Sequence, residues 1–426
     1  MIKILLLFIL PFFFVSCSMM HKEVIKPNEK AFEEEDMYIL FALRAEQIGN
    51  NSSASEIFEK LYKVSDKKEY IYRSLQNDLT AKAYKKLLQR VDNLLVNLPS
   101  DSQLLRFKVV ALLGLNRLDE AIKLAVSLAS RTKKTNDYLL SSEIYKKREE
   151  FNLAVKYLES AYAKENNEKI LDQLSIVLYV NLNRKKEAIA HLETHSRILG
   201  CSKLVCSRLI AFYSNDNNID GLVSTYLRYY EIKSSEKIAK KIIQLYSYKR
   251  DFKNLITFLE NSSSDDKLLL QLYSSTKSYK KAYSLADKLY EETLDVSYLG
   301  QSAVFEYENA KNKNSKKLLH SVVKKLEKVV EVENQAVYLN YLGYILIDHN
   351  LNVSKGMQYI KQVLEIQPNY AFYLDSLSWG YYKLGECKKA DEIIKRVEKL
   401  EGGNDPEVLE HIEAIQKCLK NKKGEK

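Results

Sequence analysis

Proline and glycine are scarce. Five prolines and 12 glycines in 426 residues leave few breaks for helices. No stretch alternates apolar and polar residues over a useful strand length, so the chain reads as mostly helical. Phosphate-cradling loops (G-x-x-x-x-G-K-[ST], G-x-G-x-x-G) and the nucleophile elbow G-x-S-x-G are absent, which removes the common signatures of nucleotide binding and acyl transfer. His191 and His195 stand four apart, but Leu192 follows the first and Glu193 is misplaced for a zinc-protease helix. They read as two exposed histidines. The carboxylates are spread along helices opposite lysines, as i, i+4 pairs would be. No catalytic constellation, metal site or cofactor is implied, and the chain reads as a non-enzyme.

What is present is a period. Small or apolar residues open a helix at Ala54, Leu87, Ala121, Ala154, Ala188, Gly221 and Leu255, in steps of 33 or 34 residues. An aromatic stands nine places before several such positions: Tyr145, Tyr179, Phe212, Tyr246, then Tyr273 before Ala282 and Tyr381 before Ala390. Segments such as Leu139-Leu140…Ile144-Tyr145 carry the i, i+3, i+4, i+7 spacing of amphipathic helices. Turn signals fall between them at Asn116-Arg117, Asn166-Asn167, Asn183-Arg184, Asn215 to Asn218 and Ser262 to Asp266. A single such unit cannot bury its apolar face, so neighbours must stack.

Two C-terminal units carry a recognisable pattern. One reads Leu339-x2-Leu342-Gly343-x2-Leu346, Gly356-x3-Ile360, Pro368; the next reads Leu374-x2-Leu377-Ser378-x2-Tyr381, Ala390-x3-Ile394. This resembles the tetratricopeptide repeat (TPR), a 34-residue helix–turn–helix unit. The family's Trp position is never Trp here, and the lone Trp379 sits one residue past Leu377-Ser378. The step from Leu255 to Ala282 is shortened, and the stretch around Leu318 needs an insertion. The resemblance implies an all-α, TPR-like α-solenoid, a right-handed superhelix of about eleven repeats over residues 37–402. A capping helix is expected over 403–420 and a basic tail over 421–426.

Residues 1–16 read as a signal peptide, with Lys3 as its positive start and Ile4–Val15 as an apolar stretch. That stretch is shorter than the roughly 20 residues a membrane-crossing helix needs. Phe14-Val15-Ser16-Cys17 resembles a bacterial lipoprotein signal, in which Cys17 is acylated (palmitate among the chains) and becomes the new N-terminus. Ser18 is similar to the residue found there in lipoproteins sorted to the Gram-negative outer membrane. Residues 17–36 are polar and read as a flexible tether with a reach near 25 Å. The expectation is therefore a periplasm-facing protein anchored to the outer membrane by lipid.

The net charge of +10 gathers at Lys233 to Lys253, at Lys311 to Lys328 and in the tail. An exported chain rarely meets nucleic acid, so solvated helix faces, lipid headgroups or an acidic partner are the readings retained. Cys201, Cys206, Cys387 and Cys418 remain after lipidation, an even number in an oxidising compartment. Cys201–Cys206 and Cys387–Cys418 are the candidate disulfides. The first requires non-helical backbone around Cys201; the second places Cys387 in a turn.

Thirty tyrosines against 14 phenylalanines imply rings packed between helices with hydroxyls reaching polar partners, or an aromatic-rich groove. Tyr226, Tyr229 and Tyr230 form the best local cluster. In a groove lined by first helices, as the family implies, exposed Asn340, Tyr344, Tyr373 and Asp375 are the candidate partner-binding residues. The resulting reading is a scaffold or adaptor for a protein or peptide partner in an envelope complex serving outer-membrane assembly, secretion, pili or flagella. The alternatives are a chaperone-like holder of extended outer-membrane clients and a regulator or enzyme of cell-wall metabolism.

Overall fold

The structure is a computed structural model and describes residues 31–424. Cys17, the signal segment and most of the tether lie outside the described residues. Those described contain 23 helices and no strand; the helices pair in order as eleven hairpins followed by one last helix, Pro406–Gly424. The fold is all-α and TPR-like. Two compact units divide it at Ile232 and Lys233. The N-terminal unit holds six hairpins, and the C-terminal unit holds five together with the last helix.

The small residues of the period sit where the two helices of a hairpin meet. Ala54, Ala121, Ala154, Ala188, Ala282 and Ala390 are all 0 % exposed. Glycine takes the position where even a methyl group has no room. A Cβ on Gly221 would lie 2.4 Å from the Tyr213 ring, and one on Gly356 would lie 2.6 Å from the Gly343 carbonyl oxygen. Of the aromatics nine places earlier, Tyr179, Phe212, Tyr246 and Tyr273 are buried, while Tyr145 and Tyr381 are half-buried. The Tyr179 and Phe212 rings stack with centroids 3.8 Å apart, joining successive hairpins.

Buried and half-buried tyrosines deliver their hydroxyls to carboxylates. Tyr213 donates to Glu193 (2.7 Å), Tyr273 to Glu260 (2.5 Å) and Tyr72 to Asp101 (2.5 Å). Burial, then the Asp101 hydrogen bond and charge, push the Tyr72 phenol up to about 12. The apolar ring fills the interhelical space while the polar tip finds an acceptor.

Turns inside the hairpins repeat one backbone device. Two residues past the first helix, the chain enters the left-handed region at Gly49, Lys82, Asn116, Glu149, Asn183, Asn217, Lys277, Asn350 and Gly385. Asparagine and glycine suit that conformation; the lysines and the glutamate do not.

Irregular steps also have local causes. The short interval before Ala282 arises because two successive helices are short: Phe252–Ser262 has 11 residues and Asp266–Ser275 has 10. Near Leu318 the helix Lys316–Val332 has 17 residues and follows a loop from 310 to 315. The first described helix, Glu35–Gln47, begins two residues inside the stretch read as tether. Its buried Glu35 accepts bonds from Lys67 Nζ (2.7 Å), the Tyr70 hydroxyl (2.5 Å) and the Ala31 amide (2.6 Å). The last helix reaches Gly424, past the expected cap boundary.

Candidate binding groove

The first helices of the hairpins carry different chemistry in the two units. In the N-terminal unit each of three first-helix arginines is gripped by a carboxylate on a neighbouring first helix. Arg73 meets Glu46 (2.6 and 2.9 Å), Arg106 meets Asp137 (2.6 and 2.9 Å), and Arg208 meets Asp172 (2.6 and 3.1 Å). These are two-point guanidinium–carboxylate bonds, which fix geometry as well as charge.

The C-terminal unit instead has a groove of about 560 Å³. It lies among the first helices Val296–Asn309, Ala336–Asp348 and Ala371–Lys383 and the start of the last helix. Three large apolar side chains, Val337, Tyr370 and Phe372, remain 39–46 % exposed along it. Tyr307, Tyr341, Tyr344 and Tyr373 supply further rings. Five carboxylates line it, from Glu308, Asp348, Asp375, Asp405 and Glu407, against one lysine, Lys313.

Each wall has its own wiring. Asp375 is 5 % exposed and takes two contacts from His411 Nδ1, at 2.9 and 3.0 Å. The imidazole stacks on Trp379, with centroids 3.9 Å apart. Burial raises the Asp375 carboxyl above its ordinary value; His411 pulls it down, and Glu407 and Asp405 push it up again. Trp379 donates its indole N–H to Asp348 (2.9 Å), whose carboxylate also meets Lys383 (3.4 Å). The Tyr307 hydroxyl pairs with His349 Nε2 (3.0 Å), while Nδ1 faces Asn314 Oδ1 (3.0 Å). Burial lowers His349 below its usual value, which suits a neutral ring donating from Nδ1 and accepting at Nε2. The Tyr344 hydroxyl donates to Glu407. Burial and the Glu407 charge raise this phenol far above the usual range.

Asn340, Tyr344, Tyr373 and Asp375 all line this one groove. They are not exposed as expected: Tyr373 and Asp375 are buried, and Asn340 and Tyr344 are half-buried. The cause is the last helix, which brings His411 onto Asp375, and the packing of Tyr373 against Leu339 and Val363. Tyr226, Tyr229 and Tyr230 do not join the groove. They lie half-buried on the second helix Ile219–Ile232 of the N-terminal unit, where burial raises the Tyr226 phenol. Trp379, His411 and Glu407 were missed because the last two lie outside the repeat and the first breaks its pattern.

The structure joins both candidate cysteine pairs, with Cα atoms 5.3 Å apart for Cys201–Cys206 and 5.9 Å for Cys387–Cys418. Gly200, at φ +95°, keeps Cys201 off the helix that begins at Lys203. Cys387 opens the helix Cys387–Val397 and does not sit in the turn. His195 is buried, with its Nδ1 2.6 Å from the Tyr162 hydroxyl, so the pair of exposed histidines reduces to a half-buried His191. His191 faces Glu159 and Glu187 with ligand atoms within 4.8 Å. Arg184 already binds both Glu187 oxygens, at 2.6 and 2.8 Å.

No family model matches the chain, and no curated protein does either. Among solved structures it is similar to Naa15/Naa10 bound to HypK-THB, at 11 % identity and a TM-score of 0.36. That match covers 79 % of this chain, which spans 64 % of its counterpart. It is also similar to MamA 41-end from Desulfovibrio magneticus RS-1 (14 % identity, 41 % of this chain, 99 % of that one, TM-score 0.35). A third is the thermophilic TPR protein TTC0263 of Thermus thermophilus (18 % identity, 42 % of this chain, 97 % of that one, TM-score 0.33).

Proposed function

We propose that this protein is a lipid-anchored scaffold whose C-terminal groove holds a peptide segment of a partner within a bacterial envelope complex. The observation that carries the binding half is the groove itself: exposed apolar rings and unneutralised carboxylates side by side, on the helices that a repeat fold presents to ligands. Two disulfides among the four cysteines beyond Cys17 support an oxidising compartment. The lipoprotein-like Phe14–Cys17 stretch supports attachment through Cys17, facing the periplasm from the outer membrane.

Two experiments test the halves separately. A photo-crosslinking residue at Phe372 in living cells should capture one stoichiometric protein, whereas the same residue at Tyr226 should not. A broad spread of outer-membrane clients at Phe372 would favour the chaperone-like reading; no adduct would remove the groove. For the anchor, Cys17→Ser should abolish palmitate labelling and move the protein out of the membrane fraction. Unchanged fractionation and labelling would overturn the lipid attachment.

A further inference from the structure

The groove carries charge opposite in sign to the chain's net charge. The chain is basic overall, at +10, yet five carboxylates and one lysine line this cavity. At physiological ionic strength charges beyond about 8 Å are screened. An incoming group therefore senses the local carboxylates more than the distant lysines.

The wall formed by Asp375, Asp405 and Glu407 is the least neutralised. Asp375 has His411 behind it. Asp405 accepts from the Glu407 amide at 3.0 Å and so caps the last helix; this offsets the partial positive charge of that helix end. Glu407 accepts from the uncharged Tyr344 phenol. Among the described residues neither Asp405 nor Glu407 forms an ion pair. Asn340 adds a carboxamide oxygen that is shut off from solvent and lacks a hydrogen-bond partner. Carboxylates, an unused acceptor and aromatic faces all complement an N–H cation.

The groove already contains a small example of that complement. Lys313 Nζ lies 4.4 Å from the centre of the Tyr307 ring and 3.2 Å from Glu308. In the N-terminal unit, first-helix carboxylates are completed by the chain's own Arg73, Arg106 and Arg208. Among the described residues no guanidinium meets Asp405 or Glu407.

Building on the peptide-groove reading above, we infer that the groove selects a basic segment of its partner, seating an arginine or lysine side chain between Glu407 and the rings of Tyr344 and Phe372. The occupant is a protein segment and not a free polyamine, because exposed Val337, Tyr370 and Phe372 offer apolar contact that a bare cation would leave unused.

The test uses the purified full chain and fluorescein-labelled nine-residue peptides alternating arginine or glutamate with leucine. The arginine peptide should bind, weaken as salt rises, and lose at least tenfold in affinity with Glu407→Lys and about threefold with Glu407→Gln. Glu407 is exposed, so circular dichroism should show both variants folded. Glu410→Lys makes the same charge change on the same helix outside the groove and should leave binding within twofold. Equal weakening by Glu410→Lys would reduce the effect to bulk charge and overturn the inference. Competition by spermidine at the peptide's own affinity would overturn the choice of a peptide. Binding of the glutamate peptide, lost on Tyr344→Ala, would keep the groove as a peptide site while overturning its basic preference. Absence of any Phe372 crosslink in cells would instead sink the underlying reading.

Discussion

Glu35 shows how one side chain can tie the first described helix to the next hairpin. Burial alone would raise its pKa, but the bonds from Lys67, Tyr70 and the Ala31 amide outweigh that and hold it at about 2. A depressed carboxylate contributes stability that is complete above its unfolded value near 4.5 and fades as pH falls towards 2. Glu35→Gln should therefore lower the melting temperature at pH 6, and the gap to the native chain should close between pH 4.5 and 2. A pH-independent gap would refute the linkage. Gly356 fails differently, by volume. A methyl group there meets the Gly343 carbonyl, which belongs to a helix backbone and has no rotamer to escape into. Gly356→Ala should cost about 1–3 kcal/mol in urea denaturation, although alanine is the better helix former.

Hairpins were the most legible level. The 33- or 34-residue step, the small residue and the aromatic nine places earlier all report packing between adjacent helices, which is local in sequence and so leaves a period. The groove was legible only in part. Asn340, Tyr344, Tyr373 and Asp375 could be placed on first helices because the repeat fixes which face they share. Their burial could not be read, since His411 reaches Asp375 from 36 residues away. Tyr226, Tyr229 and Tyr230 misled because a run of tyrosines on a second helix looks the same in sequence as one lining a cavity. The turns supply a prediction at this scale. Glu149 holds φ +60° with an exposed side chain, a conformation that costs a residue with a Cβ about 1 kcal/mol. Glu149→Gly should raise stability by roughly 0.5–1 kcal/mol, whereas Asn183→Gly should change it less, because asparagine already tolerates that region. Thermal melts of the two variants side by side would decide it.

At the scale of the whole molecule, the proposed acyl anchor, the polar stretch after it and the paired cysteines all fit the proposed location in an oxidising envelope. The Cys387–Cys418 bond closes a loop of 31 residues, which by loop-closure entropy contributes about 3–4 kcal/mol. Cys418→Ser should lower stability by a comparable amount, and alkylation of protein from cells lacking an oxidising envelope should label all four cysteines beyond Cys17. Full protection of those thiols under such conditions would contradict the assignment.

The last helix is held along its length, by the buried side chains of Val408 and Ile415, by sulfur at Cys418 and by the His411 contacts with Asp375 and Trp379. The rim that a partner would touch is thus rigid before any encounter. Little ordering entropy on this side then opposes association, and the freezing of rotors falls on the incoming strand. Such a receptor favours visitors that arrive already stiffened.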